Sequence, residues 1–435
     1  MNVLVVAPHY PPMRIGGVEA YTQAVVDGLH TRGHAVNVVA VEQIADGSAC
    51  AAVIDERGGV AVHRLTLGVG GGHRLDLMWE HAAAEAWLIA HMHATTPQAL
   101  HLHSGYLLGG PAMSAARRCR IPYVVTLHDY WFSCPRITRL DAAGHICSGP
   151  EGVGKCTWCL VADSRRVRWP DVALFGAPGV LVRGAVDAGV PVAGATAAAV
   201  AARQRALAEG LLAAAAIIAP TQFVANAVES IGVPARRVVV SPHGLPPMQV
   251  KPRVAGDGFR IRYIGQVVPH KGVHLLVDAV RAMGADDVSL TVHGPLTPRP
   301  DYVANLRARA GNDRRIVFAG PYTREELPEI LAGTDLLVVP SIWHEVAGIV
   351  IMEAHAAGVP VLASRLGGIP EVLRDEIDGV LFDPFTDGDL ARALARLLGD
   401  PSLMARLRAG TRPPRTNDDD VDALVTLLHG VVGRS

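Results

Sequence analysis

Between Leu336 and Glu371 the chain leaves room for little except a parallel α/β sheet. Leu336-Leu337-Val338-Val339 is an apolar run short enough for a buried strand. After it come Pro340 to Glu345, and then Ala347-Gly348-Ile349-Val350, which reads as the start of a helix carrying Glu353 and ending at Gly358. A second strand, Val359 to Ser364, follows at once. A Gly367-Gly368 turn then leads to a helix start at Pro370-Glu371, with Pro suited to the first helical position. Strand, loop, helix repeats twice without a hairpin turn, so the strands lie parallel.

In such sheets ligands sit at the carboxyl ends of the strands, where helix N-termini offer free N–H groups. Glu345 and the amides of Gly348, Ile349 and Val350 are expected to share such a crevice. A carboxylate beside a ring of donors suits a ligand carrying both hydroxyls and phosphates. Glu353, seven intervening residues later, would face another part of the same ligand. A nucleotide sugar has that polarity.

At 435 residues the chain exceeds one ordinary core, and two domains are expected. A formal charge of −1 gives no basic excess for nucleic acid. No uninterrupted apolar run reaches membrane-spanning length; Ala206 to Ala219 contains Glu209 and Gly210 and reads as a packed helix running toward a strand. No basic leader precedes Val3-Leu4-Val5-Val6, so no signal peptide is expected and the setting is cytoplasmic.

In the first half, Val3 to Ala7 reads as a buried strand leading to Gly16-Gly17 and a helix over Val18 to Arg32. Paired glycines let backbone approach a ligand closely; the alternative is a plain flexible turn. No G-x-G-x-x-G follows this strand, which argues against a nicotinamide or flavin enzyme. A helix is expected over Arg74 to Ala94. Strands at Leu100 to His103 and Tyr123 to Leu127 each deliver a histidine, His103 and His128, to a carboxyl end, and Asp129 follows the second. Cys134, Cys147, Cys156 and Cys159 stand among Gly, Pro and polar residues, the last two as C-x-x-C. That spacing suits a structural zinc, against the alternatives of free or disulfide-paired thiols. Cys50 and Cys119 read as ordinary buried residues. Residues 161 to 213 read as irregular, then Ala-rich and helical. Arg165, Arg166, Arg168, Arg203 and Arg205 could meet an acidic acceptor, although a solvated helix face is the plainer reading.

Residues 245–258 lack apolar periodicity and read as a linker between a first domain, 1–244, and a second, 259–412. Residues 413–435 are expected to form a helix packing back toward the first domain. In the second half strands and helices alternate again, with Glu325-Glu326 placed in a helix. Lys271 stands beside Gly272 in the loop after Phe259 to Ile264, where a diphosphate would gain a charge-assisted hydrogen bond.

Taken together, EVAGIVIME between PSIWH and AHAAGVPVLAS, the early GGVE, TLHD at 126–129, YIGQVVPHKG and VFAGP resemble the glycosyltransferases of family 4, the retaining GT-B class. The resemblance covers almost the whole chain. It implies two Rossmann-like, doubly wound domains facing across a cleft, the first taking the acceptor and the second a nucleotide sugar. Glu345 would hold hydroxyls of the donor sugar and Glu353 the ribose. Lys271 and the amides of Gly348 to Val350 would stabilise the leaving diphosphate, and Val317 would present backbone groups to the base. Gly16 and Gly17 would close over phosphate or sugar, and His128 would contact the sugar near the reacting carbon. Acceptor contacts would fall to His103 and Asp129.

Two departures stand out. Gln266 occupies the position, five before Lys271, where such enzymes usually carry Arg, and Val346-Ala347 replace an aromatic residue in the Glu345 loop. The implied reaction retains configuration, needs no metal cofactor, and favours a UDP-sugar with a hydroxyl acceptor. Peripheral membrane contact is compatible with it. The alternatives are a GT-B sugar-nucleotide epimerase and a non-catalytic nucleotide-sugar-binding subunit. Acceptor, sugar and oligomeric state are not legible.

Overall fold

A computed structural model describes every residue except 13–15, 71–78, 247, 255, 257, 286 and 434–435. Two units divide the chain. Met1–Pro242 with Asn417–Ser435 forms the first, and His243–Thr416 the second. The segment expected as a linker, 245–258, lies within the second unit, where the Leu245 N–H donates to the Arg415 carbonyl at 2.8 Å.

The first unit carries strands β1 (Asn2–Ala7), β2 (Ala35–Ala45), β3 (Cys50–Arg57), β4 (Val60–Gly68), β5 (Ala99–His103), β6 (Tyr123–Thr126), β7 (Ala216–Ala219) and β8 (Val238–Val240). They run in the order β3-β4-β2-β1-β5-β6-β7-β8. All pairs are parallel except β3 with β4. β3 has no counterpart in the sequence reading, because it buries no side chain and shows no apolar face. Its first residue, Cys50, is half-buried rather than buried, as is Cys119.

The helix expected from Arg74 runs instead over Ala82–Thr95. Residues 74–78 lie outside the described residues, and His81 caps the helix by accepting the Ala84 N–H. Residues 161–213 are helical earlier than expected, with helices Arg165–Ala173 and Ala177–Asp187 preceding Gly194–Ala213.

The core on one face of this sheet joins Val3 and Val5 of β1 to Tyr21, Val25 and Leu29 of helix Gly17–Thr31. Val421, Leu424, Leu428 and Val431 of helix Asn417–Val432 complete it. Asn417 donates to the Ala24 carbonyl, and the Tyr21 hydroxyl donates to Asp420 at 2.8 Å.

The second unit holds β9 (Phe259–Ile264), β10 (Val288–His293), β11 (Ile316–Gly320), β12 (Leu336–Val339), β13 (Val361–Ser364) and β14 (Gly379–Phe382). All pair in parallel, in the order β11-β10-β9-β12-β13-β14. Side chains alternate between its two faces. Leu336 and Val338 enter one core cluster, Leu337 and Val339 the other. A strand buried on both sides therefore reads as the continuous apolar run seen in the sequence. Glu325 and Glu326 sit in a turn ahead of helix Leu327–Ala332, not inside it.

Candidate active site

In the second unit the winding direction reverses between β9 and β12. The loops leaving two adjacent strands there part to opposite sides and open a crevice. Lys271 comes from the loop after β9 and Glu345 from the loop after β12.

Backbone contacts fix these loops to each other. The Ile342 N–H donates to the His270 carbonyl at 2.9 Å. Gly272 has φ +68°, and a Cβ there would stand 1.8 Å from the Pro340 carbonyl oxygen. The expected Gly-Gly turn locks the third loop: Gly367, at φ +61°, packs against the Glu345 backbone, and the Gly368 N–H donates to the Glu345 carbonyl at 2.7 Å. Glycine is required at 272 and 367 both by the left-handed backbone and by the absence of room.

On this frame the Lys271 ammonium lies 2.7 Å from Glu345 Oε1. Ser341 Oγ donates to the same oxygen, and the Lys271 charge stands 4.8 Å from the centre of the Trp343 ring. Glu345 is buried. Burial alone would raise its carboxyl, but the Lys271 charge and hydrogen bonds from Lys271, Ser341 and Trp343 outweigh it and hold it below the usual range. The carboxylate therefore stays ionised and can accept from hydroxyls.

Gly348, at φ +64°, caps helix Ile349–Ala356, so the amides of Gly348, Ile349 and Val350 belong to its first turn. Glu353 lies in this helix, buried, with Arg324 Nη1 at 2.9 Å from Oε1. Here burial prevails over the Arg324 charge, and the Glu353 carboxyl is raised. Gln266 is exposed, and its carbonyl accepts the Tyr263 hydroxyl at 2.6 Å. Val317 is half-exposed on the edge strand β11.

In the first unit the reversal falls between β1 and β5. Gly16 and Gly17 open the helix after β1. Glu19 turns back to accept the Gly16 N–H at 3.0 Å. His103 ends β5, and His128 follows β6. The two rings stack at 5.3 Å, with His103 Nδ1 3.1 Å from His128 Nε2. Behind them, His103 Nε2 lies 3.1 Å from His101 Nδ1, and His101 Nε2 lies 2.7 Å from Thr126 Oγ1. Three imidazoles thus form one buried line. Burial lowers His101 to about 3, so it is neutral at pH 7. His103 has no exposed surface and reaches a ligand only through its neighbours. Asp129 accepts from Ser104 Oγ at 2.6 Å and from the Trp131 N–H at 2.8 Å, and burial raises its carboxyl.

The four-cysteine segment folds as a small hairpin, bridged between Leu140 and Ile146, followed by helix Val153–Val161 carrying Cys156 and Cys159. The thiols are unpaired and half-buried. Burial, together with the neighbouring thiols, pushes Cys156 up to about 12; Cys159 rises to about 11. Each of the four lies within electrostatic reach of the other three. Among the described residues no group of three or more His, Cys, Asp or Glu side chains stands where it would hold a metal ion. Arg203, read as a surface charge, is buried instead, over the Trp131 ring at 4.6 Å.

Sequence reasoning missed Arg324, Ser341 and Trp343. Ser341 and Trp343 lie inside the PSIWH run and were open to suspicion. Arg324 sits in a polar turn, YTREE, where an arginine looks like any surface charge.

Residues 247–412 match the family model "Glycosyl transferases group 1", and residues 16–150 match "Glycosyl transferase 4-like domain". A D-inositol 3-phosphate glycosyltransferase of Salinispora tropica is 34% identical over 165 residues, 36% of this chain and 34% of that protein. Its counterpart from Streptomyces bingchenggensis is 34% identical over 177 residues, 38% and 37% of the two chains. The match thus spans about a third of the length of these curated relatives. Among solved structures, the sucrose-phosphate synthase of Thermosynechococcus elongatus superposes with a TM-score of 0.68 at 16% identity, covering 100% of both chains. Anabaena HepE in complex with UDP gives 0.61 at 16% identity, covering 100% of this chain and 99% of that one. The fold is GT-B, two α/β domains with parallel sheets. The two matched stretches make up more than half of the sequence, and the chain belongs to the family 4 glycosyltransferases.

Proposed function

We propose that the protein transfers a sugar from a nucleotide-diphosphate donor to a hydroxyl acceptor with retention of configuration. The Lys271–Glu345 pair at the β9/β12 reversal carries this reading. An ionised acid beside a cation at the mouth of a parallel sheet suits sugar hydroxyls next to a diphosphate. The bond between the anomeric carbon and the diphosphate oxygen breaks, and its electrons leave with the diphosphate. The acceptor oxygen bonds to the same face of that carbon and passes its proton to the departing phosphate oxygen.

Lys271 and the amides of Gly348 to Val350 would stabilise the leaving charge, so the reaction as read needs no metal. Glu345 would position the sugar hydroxyls, and Glu353, with Arg324 behind it, the ribose. In the first unit His128 would contact the sugar, with His103 and His101 setting its orientation, and Asp129 would lie toward the acceptor. UDP-sugars are the donors to try first, since the neighbours include a protein solved with UDP-glucose. Phosphorylated cyclitols are acceptors to try first, given the names of the curated relatives.

The test is a panel of nucleotide sugars, read in parallel by thermal shift and by release of free nucleotide. One donor should raise the melting temperature and be turned over slowly without acceptor. If no nucleotide sugar shifts the melting temperature even at high concentration, the donor site is misassigned. Normal nucleotide binding without transfer to any acceptor would favour a non-catalytic subunit, the reading that Gln266 motivates.

A further inference from the structure

Two helices of the first unit are ordered yet cover almost nothing. Helix Arg165–Ala173 has no buried residue, and helix Ala177–Asp187 buries only Gly179 and Val186. The pair is held in place. Asp171 accepts the Gly179 N–H at 2.8 Å, joining the two helices. Asp187 accepts the Gly154 N–H at 2.8 Å, fastening the second helix to the one that carries Cys156 and Cys159. Gly179 packs against the Trp158 ring, where a Cβ would stand 2.8 Å away.

The large apolar side chains of this hairpin nevertheless face outward: Trp169, Val172, Leu174, Phe175, Val180 and Leu181 are 59% exposed or more. Phe175, at the tip between the helices, is fully exposed and holds a left-handed φ of +53° without being glycine. A cluster of this kind on an ordered element marks a contact surface.

Charge narrows the choice of partner. The acids of the segment are engaged: Asp163 pairs with Arg136, and Asp171 and Asp187 serve as the caps just described. Arg168 and Arg183 donate to backbone carbonyls, of Ala142 and Gly179. Arg165 and Arg166 remain exposed beside the apolar residues. Phe175 is fully exposed in its turn, and tryptophan and phenylalanine stand beside exposed arginines, which is the composition of a segment lying in a lipid interface. No helix among the described residues is long and apolar enough to cross a membrane.

We propose that the 165–187 hairpin docks the protein on an anionic lipid surface, Trp169, Phe175 and Leu181 entering the interface and Arg165 and Arg166 meeting the headgroups. This contact is independent of donor binding and of the transfer reaction.

The test is cosedimentation of the full chain with phosphatidylcholine vesicles, with and without phosphatidylglycerol. Wild type should pellet with the mixed vesicles. Trp169→Glu/Phe175→Glu should lower the bound fraction by about tenfold. Arg165→Glu/Arg166→Glu should abolish the preference for the anionic mixture. Because these side chains are exposed, both variants should keep the wild-type melting temperature, which establishes that they fold. Three outcomes overturn the proposal: wild type fails to pellet, the Trp169/Phe175 variant pellets like wild type, or light scattering shows a wild-type dimer that this variant dissolves while neither binds vesicles. The last would make the hairpin an interface between two copies.

Discussion

At the scale of single residues, the two glutamates with seven residues between them have opposite electrostatic fates. Glu345 is held ionised by Lys271, Ser341 and Trp343, whereas Glu353 is raised by burial despite Arg324. Glu345→Gln and Lys271→Ala should each lower turnover by at least about tenfold, through contacts made at the transition state. Wild-type rates in both would remove them from the site. Arg324→Ala leaves a buried carboxyl without its cation and should raise the KM for donor by about tenfold with kcat little changed; an equal fall in kcat would place Arg324 in the chemistry instead. The glutamates, Lys271 and Gly348 were legible because they punctuate apolar runs. Arg324 was not, because it belongs to the site only through a fold that brings residues 324 and 353 together.

At the scale of elements, β14 has no counterpart in the sequence reading, whereas Leu336 to Val339 was legible to the residue and Val359 to Ser364 to within two, since burial on both faces leaves an unmistakable apolar run. β3 and the helices of 165–187 were not, because neither buries a hydrophobic face. The loop frame makes a prediction of its own. Gly272→Ala adds a Cβ 1.8 Å from the Pro340 carbonyl in a left-handed backbone. It should cost about 1–3 kcal/mol in strain alone and weaken donor binding, read by urea denaturation of the purified protein. A midpoint equal to wild type would mean that the loops are free to move apart. In the cysteine segment, binding a zinc ion would require the half-buried thiols to turn toward one another and lose their protons. Metal analysis of the purified protein against Cys156→Ser/Cys159→Ser decides the matter. A near-stoichiometric zinc content lost in the variant supports the ion, and near-zero content in both removes it.

At the scale of the whole molecule, the buried histidine line couples stability to pH. His101 falls from its ordinary 6.5 to about 3 on folding. Between those values the unfolded chain binds a proton that the folded chain refuses, so stability is lost as pH falls through this window and is unaffected well above it. His101 alone contributes a slope of about 1.4 kcal/mol per pH unit. Melting temperatures taken from pH 7 down to pH 5 should fall less steeply in His101→Asn than in wild type. Identical slopes would show that His101 is protonated in the fold.

The return of helix Asn417–Val432 to the sheet that starts at Asn2 has a consequence for biosynthesis. The second unit is contiguous in sequence and has all its strands once Phe382 has been made. The first must wait for helix Asn417–Val432 to be translated, its core around Tyr21, Val25 and Leu29 incomplete until then. Four apolar side chains then complete that core, each giving about 1.5–3 kcal/mol. Their sum is comparable to the whole margin of about 5–15 kcal/mol that keeps a domain folded. On the ribosome the order of completion is therefore the reverse of the order of synthesis, and the half made first is the one that stays incomplete longest.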